Sequence, residues 1–477
     1  MASRKGIGLH LYCHGLGDCH LLELPGPGGS VEWILIDCGI HTSMKGGAGR
    51  IQTVVDDVLK KTDGKFRAIV GTHEHWDHIS AFHPTAKLFS GVKTVAETWL
   101  AWTEDPKNTT AQDLDKFKGG AVHTLRLAQK RMPRNAELAE LKLSMGGVIG
   151  FMGPGGGRST AGALTTEKAF SMEGERVRDA REALANLSKS RVYLEPGKVI
   201  ELTDQVRCYV LAPPRDTKLF GTLDSAALTY NAAAAAPLLV GLKNALEVNA
   251  GKRSLEDDPA SPFDGDEGLP LSAARENDDP FLGAHYDNES WRTINNDWLM
   301  PASELALQLD NRTNNTSLVL AFEIIKSKHV LIFAADAQIG NWKGWQDVVF
   351  PEEGTRPKVT GKDLLERAVF YKVGHHGSRN ATMSKGGLEL MNKLELAFNP
   401  TDGDMAKKVQ WEDIPAKALN EELVRRTSGR LIEGDKLNKL DLTKFVAGGA
   451  LGEDVKIQVA KGSQGRPDIN CVVCRIV

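Results

Sequence analysis

The sequence predicts an α/β protein whose core is interrupted by two largely helical or loop insertions. Short apolar, strand-like runs alternate with helical spacing over the first hundred residues, and similar runs return near residues 191 and 308. Between them lie one stretch dominated by helical periodicity and one rich in proline and acid.

Residues 1–91 read as the first half of the core. "GIGLHLYC", "HLLEL" and "WILID" are three short strands, with the "PGPGGS" turn between the second and third. "IQTVVDDVLKK" spaces its apolar residues for a helix, and "FRAIVGT" is a buried strand. Residues 92–190 form the first, helical insertion, clearest in "HTLRLAQKRMPRNAELAELKLS". Its Gly-rich "MGGVIGFMGPGGGRSTAGAL" lacks GxxxxGK[ST] spacing and is expected to be a flexible loop, not a phosphate cradle. Residues 191–214, "RVYLEPGKVIELTDQVRCYVLAPP", predict two or three antiparallel core strands. Residues 215–307 begin with an Ala-rich helix and continue through "EDDPASPFDGDEGLPLSAARENDDP", an insertion or cap with an acidic linker. Residues 308–477 supply the second half of the core in "TSLVLAFEII", "HVLIFAADA", "AVFYKVGHHGS" and "LELAFNP", then a helix around "PAKALNEELVRRT" and terminal strands.

Composition narrows the function. A chain of 477 residues with 41% hydrophobic and 25% charged content can bury a large core. Lys+Arg 59 against Asp+Glu 62 gives a net charge of −3, which excludes a global attraction for nucleic acid and leaves only local patches. "KRMPR" and "KSR" are basic but are equally explained as solvated helix faces. "TWLAWTEDP" and "NESWRTINNDWLMP" favour packing of the insertions over stacking on bases. The N-terminal stretch has no continuous apolar segment, and "AAAAAPLLVGL" is too short to span a bilayer, so a cytoplasmic protein without a membrane anchor is expected. Cys13, Cys19, Cys38, Cys208, Cys471 and Cys474 lie mostly in strand-like runs and read as reduced core residues; "CVVC" has no second pair to complete a zinc site.

The chemistry concentrates in "THEHWDH". Histidine is scarce, 13 in the whole chain, yet His73, His75 and His78 stand beside Asp77 just past a buried strand. Imidazole and carboxylate are natural ligands of zinc and similar divalent ions. Four such groups within six residues strain around one ion, which predicts two ions with ligands from elsewhere. Asp336 closes the apolar run "LIFAADA" and is placed to bridge both. "VFYKVGHHGS" ends another apolar strand at His375 and His376; His375, next after Gly374, is the expected ligand of the second ion.

HxHxDH, an apolar strand ending in Asp and a strand ending in His resemble the metallo-β-lactamase fold superfamily. "HGLGDCHLLEL", "ILIDCG", "NNTSLVLAFE" and "YKVGHHGS" are similar to the branch containing the nuclease domain of bacterial competence DNA-uptake channels. The resemblance covers about two-thirds of the chain and implies an αββα sandwich with a dinuclear site at one edge. It implies that His73 and His75 hold the first metal, Asp77, His78 and His375 the second, with Asp336 between. Asp37 of "ILIDCG" then orients a ligand histidine from below, and Asp18 supports the site's edge or caps a turn. The superfamily's usual histidine before the bridging aspartate is missing. "NNTS" offers Asn314 or Asn315 instead, Asn315 being taken as the ligand, and a weak amide donor makes manganese an alternative to zinc.

Two divalent ions sharing a hydroxide favour hydrolysis of a phosphodiester, an ester or an amide. Asp77 and Asp37 serve the catalytic centre, His376 protonates a leaving oxygen, and Ser378 and Arg379 suit phosphate oxygens. A phosphodiesterase, more narrowly a nuclease acting on nucleic acid or a nucleotide, is the leading expectation. A hydrolase of a small cyclic nucleotide or ester is the alternative, as is an effector subunit gated by a protein partner docked on the insertions.

Overall fold

In the first strand Ile7, Leu9 and Leu11 face one way and Tyr12 the other, and each face finds its own buried cluster. The same alternation splits Ile34 and Ile36 from Leu35. A sheet buried on both faces needs a layer on each side, and this sets the architecture. The computed structural model describes residues 5–131, 139–152, 175–221, 299–354, 356–408 and 414–477. Over these the chain forms a four-layer αββα sandwich of metallo-β-lactamase type.

The first sheet runs β16-β17-β1-β2-β3-β4-β5-β6. Its strands are β1 (Ile7–Cys13), β2 (Cys19–Pro25), β3 (Val31–Cys38), β4 (Lys65–Gly71), β5 (Thr94–Ala101), β6 (Arg191–Leu194), β16 (Leu451–Ala460) and β17 (Ile469–Ile476). The second runs β15-β14-β13-β10-β9-β8-β7. It contains β7 (Val199–Glu201), β8 (Val206–Ala212), β9 (Val319–Ile324), β10 (His329–Phe333), β13 (Ala368–Lys372), β14 (Leu396–Asn399) and β15 (Leu431–Glu433). A separate ribbon pairs β11 (Val349–Phe350) with β12 (Val359–Thr360). Leu9, Leu11, Ile34, Ile36, Val70 and Trp99 meet Val210, Phe322, Phe333, Phe370 and Phe398 between the large sheets.

Helix α1 (Gly47–Thr62) covers the outer face of the first sheet. Ile51, Val54, Val55 and Val58 recur at the spacing of one helical face and pack on Leu35 and Ile69. Asp63 ends it in the left-handed conformation, φ +50°, with Lys60 and Lys61 in the last turn. The short α2 (Trp76–Ile79) follows β4. Helices α3 (Thr109–Arg131), α4 (Ala139–Gly150), α5 (Glu175–Ala185) and α6 (Leu299–Asn314) stand at the edge that carries the histidines, and α7 (Ile339–Trp342), α8 (Gly361–Glu366), α9 (Gly403–Lys408) and α10 (Lys417–Arg426) complete the second half. Trp342, Leu364, Leu365 and Leu423 cover the second sheet's outer face.

Several sequence boundaries shift. The first insertion begins after Ala101 and not at residue 92, because β5 pairs in parallel with β4 inside the first sheet. Part of the Gly-rich stretch is helical: α4 runs through Gly146 and Gly147 to Gly150, and residues 153–174 lie outside the described residues. The 191–214 segment divides between the sheets, β6 pairing in parallel with β5 while β7 and β8 pair antiparallel in the other. The Ala-rich segment and acidic linker also lie outside the described residues, but α6, just beyond them, packs with α3 and α4. Leu125, Met145, Ile149, Leu305 and Leu309 form one cluster, so the two insertions meet in a single helical body.

Candidate metal centre

Strand ends carry the site. β4 stops at Gly71, β10 at Phe333 and β13 at Lys372, and the residues just past each tip converge at one edge. Leu318 N–H donates to the Thr72 carbonyl at 2.9 Å, stitching the tips of the two sheets together there. Close approach is possible because Gly39 has no side chain: a Cβ would meet the Asp77 carbonyl carbon at 2.3 Å and the His78 nitrogen at 2.4 Å.

Ligand atoms of Asp77, His78, Asp336 and His376 fall within 4.8 Å of one another, as do those of His73, His75 and Asp336. Asp336 belongs to both groups. Its Oδ2 lies 3.1 Å from His78 Nε2 and 3.7 Å from His376 Nε2, and His376 Nε2 is 3.0 Å from Asp77 Oδ2. All six residues are buried. His73 Nε2, both nitrogens of His75, His78 Nε2, Asp77 Oδ1 and Asp336 Oδ2 have no hydrogen-bond partner. A cluster of buried orphaned donors and acceptors is costly unless something binds them, and this donor set is the kind that ligates a divalent cation.

The surroundings fix individual atoms. Asp37, at φ +55°, accepts from Thr72 N–H at 2.8 Å and Thr72 Oγ1 at 2.6 Å, and its Oδ2 lies 2.8 Å from His78 Nδ1. That contact turns His78 Nε2 toward Asp336. His376 Nδ1 lies 2.7 Å from the Pro400 carbonyl, leaving Nε2 for the cluster. Lys372, a residue sequence reasoning overlooked, is fully buried beneath: Nζ pairs with Asp18, donates to the Ala335 carbonyl at 2.9 Å and sits 3.7 Å from Asp336. A lone lysine inside the apolar run "VFYKVG" was the available signal. Asp18 also lies 3.5 Å from His20 and 3.7 Å from His78, which makes it part of this charged floor.

Burial holds His73 well below the usual imidazole range and His75 down to about 3. Burial opposes charge on His78 as well, but Asp336, Asp77, Asp18 and Asp37 surround it and raise its pKa. Burial likewise disfavours ionised Asp336, and His78 and His376 outweigh it, holding the carboxylate well below its normal value. Asp336 is thus ionised and His73 and His75 are neutral at pH 7.

The geometry redistributes the histidine-turn roles. His376, not His375, reaches the quartet. His375 Nδ1 instead lies 2.8 Å from Ser378 Oγ and 3.0 Å from Gln338 Nε2, while Nε2 is 3.3 Å from Asn314 Nδ2. Both histidines have left-handed backbone, φ +41° and +52°, so the turn reverses the direction in which successive side chains leave the strand. Ser378 accordingly sits beside His375 and not in either ligand group, and Arg379 is exposed. Asn315 is also displaced from the ligand role: its Nδ2 donates to the Phe220 carbonyl at 3.0 Å and its Oδ1 accepts from Asn341 N–H at 2.8 Å. Asn314 Oδ1 and Asp310 Oδ1 are left without partners, and Asn314 Nδ2 donates to Asp310 Oδ2 at 3.0 Å. Desolvation, with Asp336 and Asp77 nearby, pushes Asp310 up to about 7.

An aromatic roof comes from the first insertion. Phe151, just past α4, stacks on His75 with centroids 5.1 Å apart at 22°, and meets His41 edge-on at 4.6 Å. Its carbonyl accepts from Trp76 N–H at 2.6 Å. Trp76 and His41 also line a cavity of about 420 Å³ with Ile40, Met44, Ile51 and Leu88.

The metallo-beta-lactamase superfamily model matches residues 15–168. No curated protein matches the chain. The metallo-beta-lactamase match takes in Asp37 and the whole of His73–His78, whereas Asp336 and His376 lie beyond it and join through the fold. The match over that segment and the ligand clusters point together to a metal-dependent hydrolase. Among the described residues no helix is long and apolar enough to cross a membrane.

Proposed function

We propose that this protein is a phosphodiesterase using two divalent cations, zinc or manganese. The observation that carries the proposal is Asp336, shared by two groups of buried ligand atoms, most of them without a hydrogen-bond partner. His73, His75 and Asp336 would hold one cation; Asp77, His78, His376 and Asp336 the other. Such a pair supplies a hydroxide nucleophile at neutral pH and neutralises charge on the attacked oxygens.

The chain's own groups provide the rest. Asp37 and the Pro400 carbonyl fix which ring nitrogen His78 and His376 present. Lys372 balances the carboxylates Asp18 and Asp336 beneath the site. His375, held down to about 4 by burial, is neutral at pH 7, and Ser378, Gln338 and Asn314 occupy its two ring nitrogens, which fixes the ring beside the cluster. Ser378 sets the orientation of that ring from 2.8 Å. These groups suit the oxygens of a phosphodiester, in line with the likeness to competence-type nucleases.

Phe151 favours a second, narrower reading. Its ring covers His75, and the neighbouring cavity is lined mainly by apolar side chains. A compact diester, such as a cyclic nucleotide, fits that enclosure better than the middle of a long duplex. The test compares bis-p-nitrophenyl phosphate, a cyclic dinucleotide, and linear and circular single-stranded DNA, each with zinc or manganese. Hydrolysis of the diesters that disappears in Asp77→Ala supports the proposal. No cleavage of any of them by metal-loaded protein overturns it, and equal rates on circular DNA and on the small diesters remove the narrower reading. Phe151→Ala is expected to raise the rate on circular DNA severalfold relative to the small probe.

A further inference from the structure

Between the first two histidines of the motif stands an acid that ligates nothing. Glu74 Oε1 lies 2.8 Å from Lys118 Nζ, and Oε2 lies 2.8 Å from Arg181 Nη1. Arg181 also meets Glu104 Oε2 at 2.7 Å and Asp115 Oδ1 at 3.3 Å; Lys118 is 3.7 Å from Glu104 Oε1. Arg178 pairs with Asp115 at the rim of this set, Nε to Oδ2 3.2 Å. Glu74, Glu104 and Lys118 are 5%, 7% and 5% exposed, so these charges are withdrawn from water and must be balanced by one another. Three acids face three bases, and the balance is complete.

The partners come from different parts of the chain. Glu74 belongs to the ligand loop and Glu104 to the turn after β5. Asp115 and Lys118 lie on α3, and Arg178 and Arg181 on α5. His75 has no hydrogen bond of its own on either ring nitrogen. Its carbonyl accepts from His78 and Ile79 N–H at 3.0 and 3.1 Å, so α2 holds the segment on one side, and on the other Glu74 is the side chain that anchors it.

On the reading that His73, His75 and Asp336 hold a cation, we propose that Lys118 and Arg181 are positioning residues for that site. By gripping Glu74 from two inserted helices they fix the segment from which His73 and His75 reach Asp336. The insertion thereby sets the affinity of one cation site and leaves the other, built from Asp77, His78 and His376, to the core.

Manganese titration of metal-stripped protein, followed by calorimetry and by the paramagnetic resonance of free manganese, reads the two sites as separate steps. The step that His75→Ala removes identifies the first site. Lys118→Met and Glu74→Gln are expected to weaken that step about 10- to 100-fold, the range typical of residues that orient a ligand. The other step should change by less than about twofold, and Lys118→Arg should restore most of the loss. Glu182→Gln, exposed on the same helix as Arg181 and outside this charged set, should leave both steps unchanged. Glu74→Gln keeps the side chain's shape and serves if Lys118→Met does not fold, as judged by circular dichroism. Equal weakening of both steps, an unchanged first step, or the same loss in Glu182→Gln overturns the proposal. Wild-type protein that takes up no manganese, or binds it in a step that His75→Ala leaves intact, overturns the underlying ligand reading instead.

Discussion

His78 and His376 are each fastened on the ring nitrogen away from Asp336, one by Asp37 at 2.8 Å and the other by the Pro400 carbonyl at 2.7 Å. Both fasteners belong to the core sheets, Asp37 near the end of β3 and Pro400 just past β14. His73 and His75 are held otherwise: His73 Nδ1 has Thr72 Oγ1 at 3.2 Å, His75 has only the face of Phe151, and the acid between them is gripped by α3 and α5. One half of the ligand set is thus braced by the sandwich and the other by inserted helices. If two cations bind as proposed, a site divided in this way would let an insertion alter the first cation's affinity without disturbing the core that holds the second.

The largest effect should come from the residue both halves share. Asp336→Asn keeps the volume but removes the only carboxylate in both groups, while Lys372, His78 and His376 remain buried around it. Taking one partner from a buried charged set costs about 3–5 kcal/mol, equivalent to roughly a hundredfold to several thousandfold in binding. Both manganese steps should weaken by about that factor, read by the same titration. Loss of one step alone would mean that the halves do not share Asp336.

A smaller effect separates the halves by pH. His41 packs on Phe151, accepts Ser43 N–H at 3.2 Å and lies 3.3 Å from the Gly147 carbonyl of α4, so it joins the core to the roof. Burial holds its pKa down to about 4, against 6.5 in the unfolded chain. Below pH 6.5 the unfolded state takes up the proton first, so stability falls as pH drops from 6.5 towards 4. The full difference amounts to about 3 kcal/mol at most. In melts of metal-free protein, His41→Gln should lose less stability than wild type over that window, by up to this amount. An identical fall in both proteins would show that His41 titrates freely and that the roof is not seated on it.

The sequence makes one half more legible than the other for a physical reason. His73, His75, Asp77 and His78 stand within six residues, and Asp336 ends a continuous apolar strand, so chain position alone nearly places them. The choice between His375 and His376 rests on two left-handed residues in a turn, and no pattern of residue types reports that geometry. Asn315 resembled a ligand in sequence because its obligations to Phe220 and Asn341 exist only in the fold. β5 was read into an insertion because Thr94, Glu97 and Thr98 interrupt its apolar character, although it pairs along its length with β4. Glu74 and its partners Lys118 and Arg181 are far apart in the chain and become a unit only when α3 and α5 dock.

The finest discrimination concerns Asp37, which touches both halves. One oxygen accepts from Thr72 N–H; the other accepts from Thr72 Oγ1 and faces His78 Nδ1. In Asp37→Asn one of these oxygens becomes an NH2 group. If the amide faces His78, a donor meets the Nδ1 proton, the ring adopts its other tautomer, and Nε2 carries the hydrogen where a lone pair is needed. If the amide turns round, it confronts the Thr72 N–H instead, so neither orientation satisfies every partner. The orientation that keeps the backbone contact is favoured, because Thr72 precedes His73 directly and its N–H cannot rotate away. The second manganese step should then weaken about 10-fold and the first by less. A larger loss in the first step would mean that the core, through Thr72, braces His73 more firmly than the inserted helices do.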